Sequence, residues 1–302
     1  MSQNGQQLQS ENTKLNFGKG WIIIFYSMIM FWFLIGFSID GQNIVIDVFV
    51  NLHYQELGYD DPTLLHAKLL ELAMWAGFIG VVAYFVIGRI LTKIGAKWLS
   101  IVCLALAGLS YIFYAHSTTL GTYFAGLTLV TIFINAAGYL GGGNLVTQWM
   151  PKKKGLANGF TTMGHNLGSA LYVPLIAALI GAYGMGKGMT ITGIAAIVIA
   201  ILAIFIIKNT PQEAGQLPDN VTPEVYAAEY ADMGETTEAR WTVGDLLKTK
   251  EMWLVALIIG INHIKEHKLR SNCGNKLLSL IGENSVNAFV REAINVSGIL
   301  HS

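Results

Sequence analysis

Fifty-four consecutive residues, Trp98 to Pro151, contain no Asp, Glu, Lys or Arg. A bilayer core of about 30 Å is crossed by about 20 apolar helical residues at 1.5 Å each. The run is therefore too long for one crossing and right for two. Its break falls at His116-Ser117-Thr118-Thr119-Leu120-Gly121, a polar turn cluster. Four more windows lack such charges: Gly20 to Ile39, Leu72 to Gly88 (extended outward through Leu64 and Leu65), Gly155 to Gly186, and Gly188 to Ile207. Six spans result. They are continuous apolar runs, not the alternating ten-residue segments of an outer-membrane barrel. The first run follows about twenty polar residues and precedes no small-residue cleavage site, so it reads as a retained helix and not a signal peptide.

Composition agrees. The 302 residues are 53% hydrophobic and 13% charged, with mean hydropathy +0.50. Soluble domains average about 25% charged. An ordinary soluble enzyme and a disordered chain are excluded. Lys+Arg and Asp+Glu are 19 each, which leaves no basic excess for nucleic acid. Two cysteines, Cys103 and Cys273, make no disulfide framework.

Charge sorting orients the spans. Lys14, Lys19, Arg89, Lys93, Lys97, Lys152, Lys153, Lys154, Lys208, Arg240, Lys248 and Lys250 fall on one side, and only Lys68 and Lys187 on the other. Twelve against two places the amino terminus in the cytoplasm and the protein in the plasma (cytoplasmic) membrane. The expected layout is a cytoplasmic segment 1–20, a six-helix bundle 21–207 and a cytoplasmic linker 208–250. A seventh span begins at 251–263 without reaching membrane length, and an atypical polar tail, 264–302, comes after it. Arg240 to Lys248 reads as a short surface helix.

The loop between the second and third spans reads Gly88-Arg89-Ile90-Leu91-Thr92-Lys93-Ile94-Gly95-Ala96-Lys97-Trp98. Two glycines with basic residues between and after them suit a tight turn between antiparallel helices. Here the sequence resembles the major facilitator superfamily of secondary transporters, whose loop has the form Gly-x-x-x-Asp-Arg-x-Gly-Arg-Lys. Gly88, Lys93, Gly95 and Lys97 match; Thr92 stands in place of the Asp, and Ala96 in place of the Arg. Thr92 keeps a hydroxyl able to cap a helix amino terminus but not the charge for pairing with a neighbouring helix. Between the fourth and fifth spans, Gly138-Tyr139-Leu140-Gly141-Gly142-Gly143-Asn144 leads into Gln148-Trp149-Met150-Pro151-Lys152-Lys153-Lys154-Gly155-Leu156-Ala157-Asn158-Gly159. This is similar to the oxalate/formate antiporter and monocarboxylate porter branch, as is Pro211-Gln212-Glu213-Ala214-Gly215-Gln216-Leu217-Pro218-Asp219-Asn220.

The resemblance implies an all-α integral membrane fold, the amino-terminal half of a major facilitator transporter built as two three-helix repeats. It implies secondary transport of small organic anions by alternating access, as exchange for a counter-anion or with a proton. That family has about twelve spans, so the expectation is a chain lacking the second half, with a homodimer or a separate carboxy-terminal half as partner. The basic residues that bind the anion in that branch come from the second half, and no Arg or Lys lies at mid-depth in these six spans. The alternative is a six-helix membrane protein that does not itself transport.

Polar groups inside a membrane are costly and so mark candidate sites. Tyr26 in span one, Asn135 in span four, and His165, Asn166 and Tyr172 in span five either line a central cavity or bond across helix interfaces. Asp40, Gln42 and Asn43 sit nearer the outer end of span one, where solvation is the plainer reading. Glycines four apart, Gly138/Gly142, Gly155/Gly159 and Gly164/Gly168, suit close helix packing within one bundle more than a dimer interface. His263-Ile264-Lys265-Glu266-His267 matches a zinc-peptidase pattern, but it begins where the seventh span breaks off, so it is read as chance, as are the glycosylation triplets at Asn220 and Asn295. No cofactor or metal and no enzymatic chemistry is expected.

Overall fold

A computed structural model describes residues 16–230 together with 248–250, 253, 254 and 257. The Arg240–Lys248 helix, the seventh span at 251–263, the tail 264–302 and the zinc-like pattern lie wholly or largely outside the described residues. The chain divides into a unit ending at Glu229, which holds the long apolar helices of the described residues, and a second unit from Tyr230. Among the described residues the secondary structure is entirely helical.

Among the described residues, four helical stretches are long and apolar enough to cross a membrane: Gly20–His53, Pro62–Ala115, Leu120–Trp149 and Lys154–Ile206. The first comprises α1 (Gly20–Ser38) and α2 (Asp40–His53), separated by a non-helical Ile39. The second is α3 (Pro62–Ala115). The third is α4 (Leu120–Asn135), a π-helical segment Ala136–Gly142, and α5 (Gly143–Trp149). The fourth is α6 (Lys154–Leu167), a second π segment Gly168–Tyr172, and α7 (Val173–Ile206). A short α8 (Pro223–Glu229) lies beyond them in sequence.

Two of these helices are each interrupted once. Gly95 in α3 has φ 81° and ψ 162°, and Gly184 in α7 has φ 81° and ψ 165°. This backbone region is essentially closed to residues with a Cβ. The sequence places the first break correctly in the Gly88–Lys97 loop. It places the second near Lys187; the structure puts it three residues earlier, at Gly184. The expected break at His116–Gly121 is present. α4 opens there with a capping box, in which Thr119 Oγ1 accepts from the Thr122 amide (3.2 Å) and Thr122 Oγ1 from the Thr119 amide (3.2 Å). α3 opens with Asp61 as N-cap, its carboxylate accepting from the Thr63 amide at 2.8 Å, and with Pro62 in the first turn.

Lipid tails are as apolar as leucine, so close van der Waals packing must hold helices together. Glycines provide it between α1 and the fourth stretch. A Cβ on Gly164 would collide with the Met28 carbonyl oxygen, and one on Gly168 would lie 2.9 Å from the Ile35 Cβ. In the reverse direction, a Cβ on Gly36 would lie 2.5 Å from the Tyr172 ring. Gly138 packs on Leu34, and Gly142 lies beside Ser27, whose hydroxyl donates to the Gly142 carbonyl at 3.1 Å. Two of the three expected glycine pairs therefore pack inside the bundle. Gly155 and Gly159 have open space where a side chain would go.

The basic end of the bundle is strapped by residues 209–220. Lys97 N–H donates to Asn209 Oδ1 (3.1 Å), and Lys97 Nζ to the Ile204 carbonyl (3.0 Å). Lys19 donates through its amide to Gln216 Oε1 (2.7 Å) and through Nζ to the Ala214 carbonyl (2.6 Å). The Asp219 carboxylate accepts the amides of Lys152 and Lys153, both at 3.0 Å, just ahead of α6. Thr92 does not cap a helix as its hydroxyl allows. Its Oγ1 donates back to the Arg89 carbonyl (2.8 Å), inside the turn it already belongs to. Asn209, from beyond the fourth stretch, takes the capping position after Gly95.

Gly164→Val should destabilise the protein by about 1–3 kcal/mol, the cost of overpacking a filled interface. Gly159→Ala, which adds its methyl to open space, should be neutral or stabilising by up to about 1 kcal/mol. Thermal unfolding in detergent compares the two. The hydrogen bonds from Thr63 hold the Asp61 carboxyl below its ordinary range. A depressed folded-state pKa means the cap contributes above the unfolded value, about 3.9, and is lost as pH falls through the folded value. Protection of the Thr63 amide against exchange, relative to its intrinsic rate, should therefore be lost below about pH 4, and in Asp61→Ala it should be absent at every pH.

Candidate functional site

The two π segments are the least regular parts of the membrane helices, and such insertions occur frequently at functional sites. They lie on neighbouring stretches. The first carries Tyr139, and the second begins three residues after His165. The imidazole of His165 stacks edge-on against Phe31 of α1, with centroids 4.6 Å apart, and lies 6.2 Å from the Tyr139 ring. Phe31 and Tyr139 also meet at 5.5 Å. Three stretches thus converge on one histidine.

His165 is half-buried, and its Nε2 is enclosed with no hydrogen-bond partner among the described residues. A buried polar atom left unpaired is uncommon and costs stability. One turn further on, the Ser169 hydroxyl donates to the Asp40 carboxylate. Asp40 is close enough to act electrostatically on His165. It opens α2 directly after the non-helical Ile39 and is half-buried, where the sequence favours a solvated position. The cause is the packing of Gly36 and Gly41 against Tyr172, which brings the helix break onto the second π segment.

The remaining sequence candidates divide. Asn166 is exposed on the same helix beside His165. Asn135 is half-buried and donates to the Thr131 carbonyl (2.8 Å), which also accepts from the Tyr84 hydroxyl (3.1 Å). Tyr26 and Tyr172 point elsewhere. The Tyr26 hydroxyl shares a 3.1 Å hydrogen bond with Ser100. Tyr172 is fully buried, donates to the Tyr111 hydroxyl at 3.1 Å and packs edge-on against Trp32. Both tyrosines bond inside the bundle. Of the loop residues, Arg89, Thr92 and Lys93 are exposed, Gly88 has open space around it, and Gly95 and Lys97 meet Asn209. Sequence reasoning does not single out Phe31 or Tyr139. Tyr139, an aromatic ring inside Ala-Ala-Gly-Tyr-Leu-Gly-Gly-Gly, was the available signal.

The site offers an imidazole able to donate a hydrogen bond or, once protonated, to carry a positive charge, with a phenol and an exposed amide beside it. No group of three or more His, Cys, Asp or Glu suited to a metal occurs among the described residues.

Long apolar helices, glycine-mediated packing and a polar group within the bundle define a multi-pass membrane protein. The sequence model of the Major Facilitator Superfamily matches residues 32–264, and the chain belongs to that family. The family is one of transporters, not enzymes. The chain is 28% identical over 112 residues to the oxalate:formate antiporter of Oxalobacter formigenes, covering 37% of the chain and 23% of that protein. It is 21% identical over 197 residues to the uncharacterised MFS-type transporter YhjX of Escherichia coli (strain K12), covering 64% of the chain and 45% of that protein. The matches span less than half the length of these curated relatives.

Cysteine labelling tests which candidates face an aqueous path. In a background lacking Cys103 and Cys273, Asn166→Cys should react readily with a membrane-impermeant maleimide. Tyr172→Cys should react at least about ten-fold more slowly, in keeping with a side chain cut off from solvent. Equal rates would place Tyr172 on the path as well.

Proposed function

We propose that this chain forms the first six-helix bundle of a secondary transporter that moves small carboxylates by alternating access. Gly95 and Gly184 then separate spans two from three and five from six, giving two three-helix repeats. The amino terminus lies in the cytoplasm and the bundle in the plasma membrane, in keeping with twelve basic residues against two. The observation that carries the reading is His165, a half-buried imidazole with an enclosed, unpaired nitrogen on an irregular helix, facing Phe31 and Tyr139.

A carboxylate in a low-dielectric cavity needs a countercharge. Among the described helices no Lys or Arg sits at mid-depth. His165, once protonated, supplies one charge, and Tyr139 and Asn166 supply further hydrogen bonds. Asn135 belongs to the same polar lining, while Tyr26 and Tyr172 fix the helices behind it. The Gly88–Lys97 turn, including Arg89, Thr92 and Lys93, holds two spans as the bundle rocks. A second bundle must close the path from the other side, whether from the same polypeptide or from a second copy of this chain. The likeness to an oxalate:formate antiporter supports oxalate-sized anions, exchanged for a second anion or carried with a proton.

Proteoliposomes test this. The chain alone should give no saturable oxalate uptake. A chimera joining residues 1–250 to the second bundle of the Oxalobacter antiporter should exchange oxalate for formate. His165→Ala in the chimera should reduce exchange at least about ten-fold, the loss of one charge-assisted contact. Uptake by the chain alone would overturn the need for a second bundle. A folded, inserted chimera without exchange would overturn the carboxylate assignment.

A further inference from the structure

Two adjoining hollows lie where the first and fourth stretches meet the basic end of the bundle, away from His165. The lower one, about 280 Å³, is bordered by Lys19, Lys208, Trp149 and Glu213. The upper one, about 330 Å³, runs between Phe25 and Ile29 of α1 and Ile199 and Leu202 of α7, and is almost wholly apolar. Ile22 and Ile206 border both, so the two adjoin, a charged mouth beside a greasy shaft. From Ile22 to Ile29 the shaft rises about 10 Å.

We infer that this pair of hollows binds an anionic phospholipid of the adjacent leaflet, with phosphate at Lys19 and Lys208 and one acyl chain along α1 and α7. The charges at the mouth are complementary to a phosphate. Lys208 is exposed and makes no hydrogen bond or ion pair among the described residues. Lys19 Nζ uses one of its three donors on the Ala214 carbonyl (2.6 Å). The carboxylate at the mouth, Glu213, is already engaged, its Oε2 accepting the Asn209 amide at 3.0 Å. A second observation points to a ligand. Trp149 borders the same mouth and is 2% exposed, yet its indole N–H has no acceptor among the described residues. The apolar shaft decides the source of the phosphate. A free anion would leave it empty, whereas a lipid fills both parts. Basic pockets between membrane helices hold anionic headgroups in this way.

The test uses the purified chain in a neutral detergent, with thermal unfolding followed against added lipid. Dioleoylphosphatidylglycerol should raise the Tm saturably, while dioleoylphosphatidylcholine and inorganic phosphate should not. Lys208→Gln, which breaks no bond within the protein, should raise the half-saturating concentration about five-fold, the effect of one lysine beside an anionic headgroup. Ile199→Trp, which fills the shaft, should weaken the response in the same way, and Lys187→Gln at the opposite end should leave it unchanged. An unaltered phosphatidylglycerol response in Lys208→Gln, or an equal response to phosphatidylcholine, would overturn the site. A full response to inorganic phosphate would show an anion pocket in place of a lipid site and would equally overturn it.

Discussion

The contact between α1 and the fourth stretch governs this molecule. Water drives apolar helices together in a soluble protein, but lipid does not. What remains is the depth to which two backbones can approach. Gly164 sits against the Met28 carbonyl, Gly168 against Ile35, and Gly36 against the Tyr172 ring. Side chains at these positions would hold the helices apart. His165 would then no longer meet Phe31, and Asp40 would no longer reach Ser169. The polar site is a by-product of close packing: helices that nearly touch bring together groups carried on different spans.

The strap at the basic end serves the same contact from outside. Residues 209–220 take their hydrogen bonds from the start of α1, from the turn at Gly95 and from the amides ahead of α6. Those amides belong to the orphan donors that every helix start exposes. Asp219 and Asn209 satisfy them in trans, from far along the chain. Charge at this end is therefore structural. Lys19 and Lys97 tie down carbonyls at Ala214 and Ile204.

The membrane class and the helical fold were legible in the sequence, because a charge-free run of 54 residues leaves few alternatives. The turn at Thr119 was legible because its capping pair is local. The break at Gly184 was not, since Gly181, Gly184, Gly186 and Gly188 stand close together and only tertiary packing selects one. Among the site residues, His165 and Asn166 stood out as polar groups in an apolar run. Phe31 and Tyr139 did not, because an aromatic ring in a membrane helix is ordinary until its neighbours are known. Tyr26 and Tyr172 looked equal to His165 in one dimension and differ from it in three, since Ser100 and Tyr111 supply partners from distant sequence.

Gly95 and Gly184 share one backbone conformation, within 3° in ψ. Each breaks the helix at a single residue, so the two helical arms are joined directly, with no loop between them. Compliance is left to the longer connections, residues 54–61 and 116–119, and to the non-helical Ile39. The bundle is in this sense a linkage of two stiff elbows and a few loose joints, and its freedom of movement is decided by where glycine was spent.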